Sequence, residues 1–415
     1  MVGMKKAWGA TLLIVLCFSI CLSVTYIVCD IEKNSSSESF FFGVSFSGNT
    51  SSEAKTLIDK VKGYTNLFVI NNWDVAMNET ILNEICDYAV HANLNIIVFF
   101  SFVFFNSTQL SQSAIELFKS AKVEPFHVRW LSTASERFGE KFLGAWVNDE
   151  PGGKQIDIGS YTGFKTGMSG RPITTFVNVS DYSDAAYRFV RGISRYYTQR
   201  LNDPKRSGSI PNVTKRIIPV FTADYALYWF DYLAGYDVVL AELGWNQSRL
   251  RHIAQCRGAA KVQKKDWGVV ITWTYTHPPY LASGSAIFKD MLTAYWAGAK
   301  YVVVLDFPYG TLSEEHFAAM KNFWSYVRDY PKKGLGKVEG QVAFVLPKDY
   351  GWGMRNPKDK IWGLWPPDSL SPQIWSNVNM LISKYGLKLD IIYDDPRFNF
   401  TEKYSKIYFW NNTIG

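Results

Sequence analysis

The chain has 415 residues, 47% of them hydrophobic and 16% aromatic, which excludes a disordered protein and suits one large domain plus a smaller one. Its net charge of +7 is spread along the chain without dense basic runs or a nucleic-acid motif, so nucleic acid is excluded as a natural partner. A mild gathering of Lys between residues 332 and 360 reads as a solvated face. The aromatic surplus, 15 Trp, 24 Tyr and 28 Phe, fits core packing for most rings and, at a surface, platforms for flat ligands.

Residues 1–30 read as a targeting element. Lys5 and Lys6 precede an apolar stretch from Ala7 to about Cys29, comparable with the ~20 residues that a transmembrane helix needs. No small-x-small cleavage site stands out near its end, which favours an uncleaved signal anchor, positive charges inside, over a cleaved signal peptide. Cys29 follows Val28, not the small residue of a lipoprotein site. Residues 31–39 form a polar linker. Cys17, Cys21 and Cys29 lie in or at the end of the apolar segment, leaving Cys86 and Cys256 either as a disulfide or as two buried thiols. Acceptor tripeptides Asn-x-Ser/Thr stand at Asn34, Asn49, Asn78, Asn106, Asn178, Asn212, Asn246, Asn399 and Asn411. They point to an extracytoplasmic glycoprotein, membrane-held or secreted, although a glycan on Asn246 would crowd a candidate acid.

From residue 40 the chain alternates apolar strands with amphipathic helices. Strands are predicted at 41–47, 66–71, 95–102, 143–148, 217–222, 238–243, 269–273 and 301–306. Helices fall between them, at 54–64 with Leu57, Ile58 and Val61 on one face, at 79–92 capped by Asn78, and at 286–297. Alternation through eight units predicts a closed parallel (β/α)8 barrel, a TIM barrel, over residues 40–335. The segment 153–209 is expected to be an extended loop plus a helix at 182–201, with 174–179 able to pass for another strand.

The barrel is organised around the run FLGAWVNDEPGG, residues 142–153. A strand-like stretch leads straight into Asn148, Asp149 and Glu150, and Pro151-Gly152-Gly153 forbids its continuation. Two adjacent acids in that setting exceed what a turn needs, and a barrel delivers strand-end residues to its carboxyl rim, where such folds build their sites. The other predicted strand ends bring Trp73 after the second, Asp224 after the fifth, and Glu242 and Trp245 at the sixth. Trp273, Tyr275 and His277 follow the seventh, and Asp306 and Tyr309 the eighth. Acids with aromatic platforms match an oxocarbenium-like transition state, where one carboxylic acid protonates the leaving oxygen and a carboxylate attacks or activates water. Glu242 reads equally as an ion-pair or capping residue, and Asp224 and Asp306 as hydrogen-bonding scaffolds.

The run Asn148-Asp149-Glu150-Pro151 resembles the Asn-Glu-Pro signature on the fourth strand of the large clan of barrel-shaped retaining glycoside hydrolases, which implies Glu150 as acid/base. An extra Asp intervenes, and the seventh strand (VVITWTY) lacks the carboxylate that this clan uses as nucleophile. Barrel glycosidases of the α-galactosidase type use the fourth and sixth strands, a resemblance that pairs Glu150 with Glu242. The adjacent acids also resemble those of substrate-assisted hexosaminidases, where Asp149 would orient an acetamido group and Glu150 be the acid. The resemblance thus implies Glu150 as acid/base, Glu242 as nucleophile or second carboxylate, and Asp149 as a tuning residue. Asn148, Trp73, Trp245, Trp273, Tyr275, His277, Asp224, Asp306 and Tyr309 are the expected carbohydrate-binding residues. The rival reading is a non-catalytic cell-envelope barrel that binds glycans.

Residues 340–415 change character, with strands at 342–347, 389–394 and 406–410 and a helix at 372–385. This small α/β unit resembles, in shortened form, the amidotransferase-like domain that follows the barrel in some β-galactosidases. Its loop 349–368 carries Trp352, Trp362 and Trp365, which either hang over the barrel mouth to stack on sugars or fill the interface between domains. The five His show no metal-ligand spacing, and neither a Gly-x-Ser-x-Gly elbow nor a phosphate-binding Gly loop occurs, so neither a metal nor another cofactor is expected.

Overall fold

A computed structural model of the protein describes residues 40–100, 126–159, 178–194, 218–329 and 338–412, and every element below belongs to the unit 41–415. The expected anchor and linker, the run 174–177, and the acceptors Asn34, Asn106 and Asn212 lie outside the described residues. Among the described residues no helix is long and apolar enough to cross a membrane.

Eight parallel strands close on themselves in chain order. They are β1 (Phe41–Phe46), β2 (Leu67–Ile70), β3 (Asn95–Phe100), β4 (Phe142–Val147), β5 (Val220–Asp224), β6 (Val238–Leu243), β7 (Asp266–Ile271) and β8 (Tyr301–Asp306). β8 closes on β1, from Tyr301 opposite Phe41 to Asp306 opposite Phe46. This is the (β/α)8 architecture that both the alternation and the resemblance implied.

The strands read as nearly continuous apolar runs because both faces are buried, one in the barrel and one under helices. Alternate residues fill the barrel: Leu67 and Val69 of β2, Phe221 and Ala223 of β5, Val238 and Leu240 of β6, and Tyr301 and Val303 of β8 share one interior cluster. That alternation decides where the acids go. Glu242 continues the inward set of β6, whereas Asp224 and Asp306 fall on the outward set of their strands.

The helices carry local start signals. Thr50 and Glu53 form a reciprocal capping box before Ser51–Val61, and Asn78 Oδ1 accepts from the Ile81 amide to open Glu79–His91. One helix departs from expectation. Pro151–Ile158 begins directly after the acids, where an extended loop was read. Pro suits a first helical turn, and the cap comes from Asp224 on another strand. The helix expected at 182–201 is described as Tyr182–Ile193.

In the C-terminal part, β9 (Val342–Leu346) lies between β10 (Leu389–Tyr393) and β11 (Lys406–Phe409), all parallel. The helix Ser371–Tyr385 buries Ile374, Val378 and Leu381 as predicted. The sheet packs on the helix Arg249–Gln263, so closely that a Cβ on Gly258 would lie 2.7 Å from Ile391 O. Trp352 and Trp362 are fully buried, and the Trp362 ring packs on Phe230 and Phe189 at centroid distances of 4.6 and 5.7 Å. These two rings fill the interior, which overturns the sugar-stacking alternative for them. Cys86 and Cys256 are both buried free thiols and not a disulfide. The described acceptors Asn49, Asn78, Asn178, Asn246, Asn399 and Asn411 are all exposed.

Candidate active site

The loop after β4 is built from conformations that ordinary residues adopt reluctantly. Asn148 and Glu150 both have positive φ, 60° and 54°. Three contacts hold them: Thr222 Oγ1 donates to Asn148 O at 3.0 Å, the Asp149 amide to Asn148 Oδ1 at 3.0 Å, and the Glu150 amide to Ala223 O at 2.9 Å. The two glycines that follow are required by crowding. A Cβ on Gly152 would meet Ala226 O at 2.5 Å, and one on Gly153 the Tyr225 ring at 2.1 Å. With no side chains in the way, their amides reach Asp224 at 2.5 and 2.8 Å.

This frame presents Asp149 and Glu150 to a cavity of 520 Å³ at the barrel mouth, which Glu242, Lys154 and the rings of Trp73, Trp245 and Trp273 also line. Lys154, one helical turn beyond Glu150, binds the acids together. Its ammonium donates to Asp149 O at 2.7 Å and lies 3.3 Å from Glu150 Oε2 and 3.7 Å from Asp149 Oδ2. Glu150 and Glu242 face the same cavity, close enough for the Glu150 charge to act on the Glu242 carboxyl.

The electrostatics sort the acids. Burial, then the charges of Glu150, Asp149 and Asp224, push the Glu242 carboxyl well above the usual carboxylate range. Burial and the Glu150 charge push Asp149 up to about 7 against the pull of Lys154, while water reaching 41% of its side chain moderates that rise. Burial also works against the Lys154 ammonium, but the charges of Asp149 and Glu150 outweigh it and hold its pKa above the usual value. The environment thus favours a proton on Glu242, while the Lys154 ammonium lies against Glu150.

Of the residues expected from sequence, Asp149, Glu150, Glu242, Trp73, Trp245 and Trp273 meet in this cavity. Asp224 does not line it. Fully buried, it accepts from the amides of Gly152, Gly153, Tyr225 and Ala226, and although burial pushes it up to about 7, those amides pull the other way. Asp306 is likewise a scaffold, accepting from the Gly310 and Leu312 amides. Asn148 is buried and serves the turn. Tyr275 and Tyr309 line a neighbouring cavity, and His277 stands exposed with Thr276 against its Nδ1. Sequence reading missed Lys154, Thr272 and Phe307 in the lining. The i,i+4 spacing from Glu150 to Lys154 was the available signal for the first. Among the described residues no group of His, Cys, Asp and Glu could hold a metal ion.

Fold and mouth together define a (β/α)8 barrel with a carboxyl pair at the carboxyl ends of its fourth and sixth strands. Neither a protein-family model nor a curated protein matches the sequence. Among solved structures the chain is similar to GH5_18 from Streptomyces cattleya in complex with GlcNAc, at 12% identity and a TM-score of 0.49, over 90% of this chain and 98% of that one. It is also similar to a GH5_18 from Bifidobacterium longum subsp. longum in complex with Manb1-4GlcNAc, at 10% identity and a TM-score of 0.48, over 90% and 96%. A 3-hexulose-6-phosphate synthase is similar at 13% identity and a TM-score of 0.34, over 69% and 98%. These likenesses cross proteins of different chemistry and do not decide the chemistry of this one.

Proposed function

We propose that this chain is a glycoside hydrolase in which Glu242 is the acid and Glu150 the attacking carboxylate. The observation that carries this reading is two carboxyls on the wall of one aromatic-lined cavity, Glu242 buried and pushed up, Glu150 against the Lys154 ammonium. Glu242 gives its proton to the glycosidic oxygen as the bond from that oxygen to the anomeric carbon breaks. Glu150 attacks the anomeric carbon and forms a glycosyl ester. The Glu242 carboxylate then takes a proton from water, whose oxygen cleaves the ester and restores both groups. This retaining course is that of the clan the Asn-Glu-Pro run resembles, and the anomeric configuration of the sugar first released distinguishes it from inversion.

Asp149 shares Lys154 with Glu150. The roles of Glu150 and Glu242 are thus the reverse of those the Asn-Glu-Pro resemblance implies. Exposed acceptor asparagines and the apolar stretch near the start of the chain support action on extracellular or cell-surface glycans, from a membrane-held or secreted position. The test is hydrolysis of a broad glycan panel by residues 40–415. Product that disappears in Glu150→Gln is the expected result. Glycan binding without product, unaffected by Glu150→Gln, would replace hydrolysis with a binding barrel.

A further inference from the structure

We propose that the cavity beside the carboxyl pair binds further sugar units of the same chain, so that the substrate is an extended glycan rather than a simple monosaccharide glycoside. The proposal rests on the glycosidase reading and names the substrate class of that site.

The second cavity, 600 Å³, is formed by the loops after β7 and β8 and the first turn of the helix Glu314–Asp329. It adjoins the first because each loop serves both. Trp273 and Phe307 line the cavity with the acids, and two residues further along each loop Tyr275 and Tyr309 line the other. The ridge between them is a stack of rings. Tyr280 lies on Trp273 at 4.8 Å between centroids and 28° between planes, and Trp273 on Phe307 at 5.7 Å and 26°. The Trp273 indole N–H donates to Phe307 O at 2.5 Å and locks the ridge.

Core packing does not account for this rim. Trp245, Tyr275 and Phe307 keep 37%, 49% and 45% of their surface exposed, and they gather around the two cavities. Aromatic faces in water beside a cleft suit the C–H face of a pyranose ring. The polar lining of the second cavity supplies the complementary groups: the hydroxyls of Ser283, Thr311 and Ser313 and the carboxylate of Glu315. Each has a partner within the protein (Ser285 for Ser283, Pro308 O for Thr311, His316 for Ser313, the Gly284 amide for Glu315) and keeps lone pairs that can accept from sugar hydroxyls. A phosphate or carboxylate ligand would meet Glu315, while the lining contains neither Lys nor Arg. Both ring nitrogens of His316 are engaged within the protein, Nδ1 accepting from the Ser313 amide at 3.0 Å and Nε2 lying 2.8 Å from Ala282 O. A neutral polyhydroxyl chain crossing the ridge fits both the aromatic and the polar halves.

The experiment compares gluco-, manno- and chito-oligosaccharides of two and six units. Their binding to the Glu150→Gln protein is followed by calorimetry, with and without Tyr275→Ala, and turnover is followed in the parent and in Tyr275→Ala. Tyr275 is an exposed ring, so its loss spares the fold. A six-unit chain should bind more tightly than its two-unit counterpart, and Tyr275→Ala should weaken the longer ligand by roughly tenfold, erasing most of the length preference. The same variant should raise KM for the long substrate with little change in kcat. Glu315→Gln, which keeps an acceptor for the Gly284 amide, should also reduce the preference for length. Equal affinity for two and six units, or equal losses on both, would overturn the second site. Failure of the glycosidase reading is separate: oligosaccharides would then bind with the same length preference while the parent protein forms no product.

Discussion

Where the helix Arg249–Gln263 meets the C-terminal sheet, the Arg257 guanidinium pairs with Asp390 at 2.8 Å, and both are almost wholly out of water. Arg257 also donates to the carbonyls of Ala297, Val338, Leu387 and Leu389, and the Tyr404 hydroxyl donates to the second Asp390 oxygen at 3.0 Å. At the barrel mouth, Asp149 and Glu150 share Lys154 instead, and Glu242 faces the same cavity with no ion pair to it among the described residues. The first arrangement balances charge and fills its hydrogen bonds. The second leaves surplus negative charge that a proton relieves. Buried polarity of the first kind holds a fold together; buried polarity of the second kind is poised to exchange protons.

Breaking each region should therefore give opposite signatures. The largest effect is expected from Glu150→Gln and Glu242→Gln, which should each lower kcat/KM on natural glycans by roughly 100- to 10,000-fold while far-ultraviolet dichroism and Tm stay near those of the parent. Arg257→Ala comes next, with the reverse pattern. It leaves Asp390 buried and unpaired, and should cost about 3–5 kcal/mol in urea unfolding, with turnover per folded molecule retained. Lys154→Met should be intermediate. Without the ammonium Asp149 keeps its proton to higher pH and Glu150 loses its ion-pair partner, so activity near neutrality should fall several-fold.

The smallest effect concerns stability and pH. Asp149 in the fold is pushed up to about 7 from an ordinary 3.8, so between those values the native state holds more protons than the unfolded chain. Its contribution to stability is therefore lost as pH rises through that window. Asp149→Asn removes the penalty, and its gain in Tm over the parent should be near zero at pH 4 and reach a few degrees at pH 8.

Most of the barrel was legible because its signal is local. The predicted spans at 238–243 and 301–306 coincide with β6 and β8, and the other strands differ only at their ends. What was misread depends on partners distant in sequence. Pro151-Gly152-Gly153 carries every local mark of a breaker, yet Asp224, 71 residues beyond Gly153, caps a helix there. Trp352 and Trp362 sit among Gly and Pro like exposed loop rings, and only Phe189 and Phe230, from far earlier in the chain, reveal where Trp362 packs.

The candidate site divides in the same way. Residue type and strand ends selected Asp149, Glu150 and Glu242, but Asp224 and Asp306 looked equivalent to Glu242. The inward face of each strand separates them, and both faces of β5, β6 and β8 are largely buried, so the strands themselves do not announce it. The assignment of roles also needed three dimensions. Lys154 reaches Glu150 from the next helical turn, while the burial of Glu242 is set by the closing of the barrel.

The division of labour between the two glutamates can be measured directly with an aryl glycoside whose leaving group departs without protonation, set against the natural glycan. If Glu242 is the acid, Glu242→Gln should lose the natural substrate yet keep most of the aryl release in its first turnover, whereas Glu150→Gln should lose both. The reverse pattern would return the acid to Glu150, and unimpaired hydrolysis by both variants would remove the carboxyl pair from the chemistry.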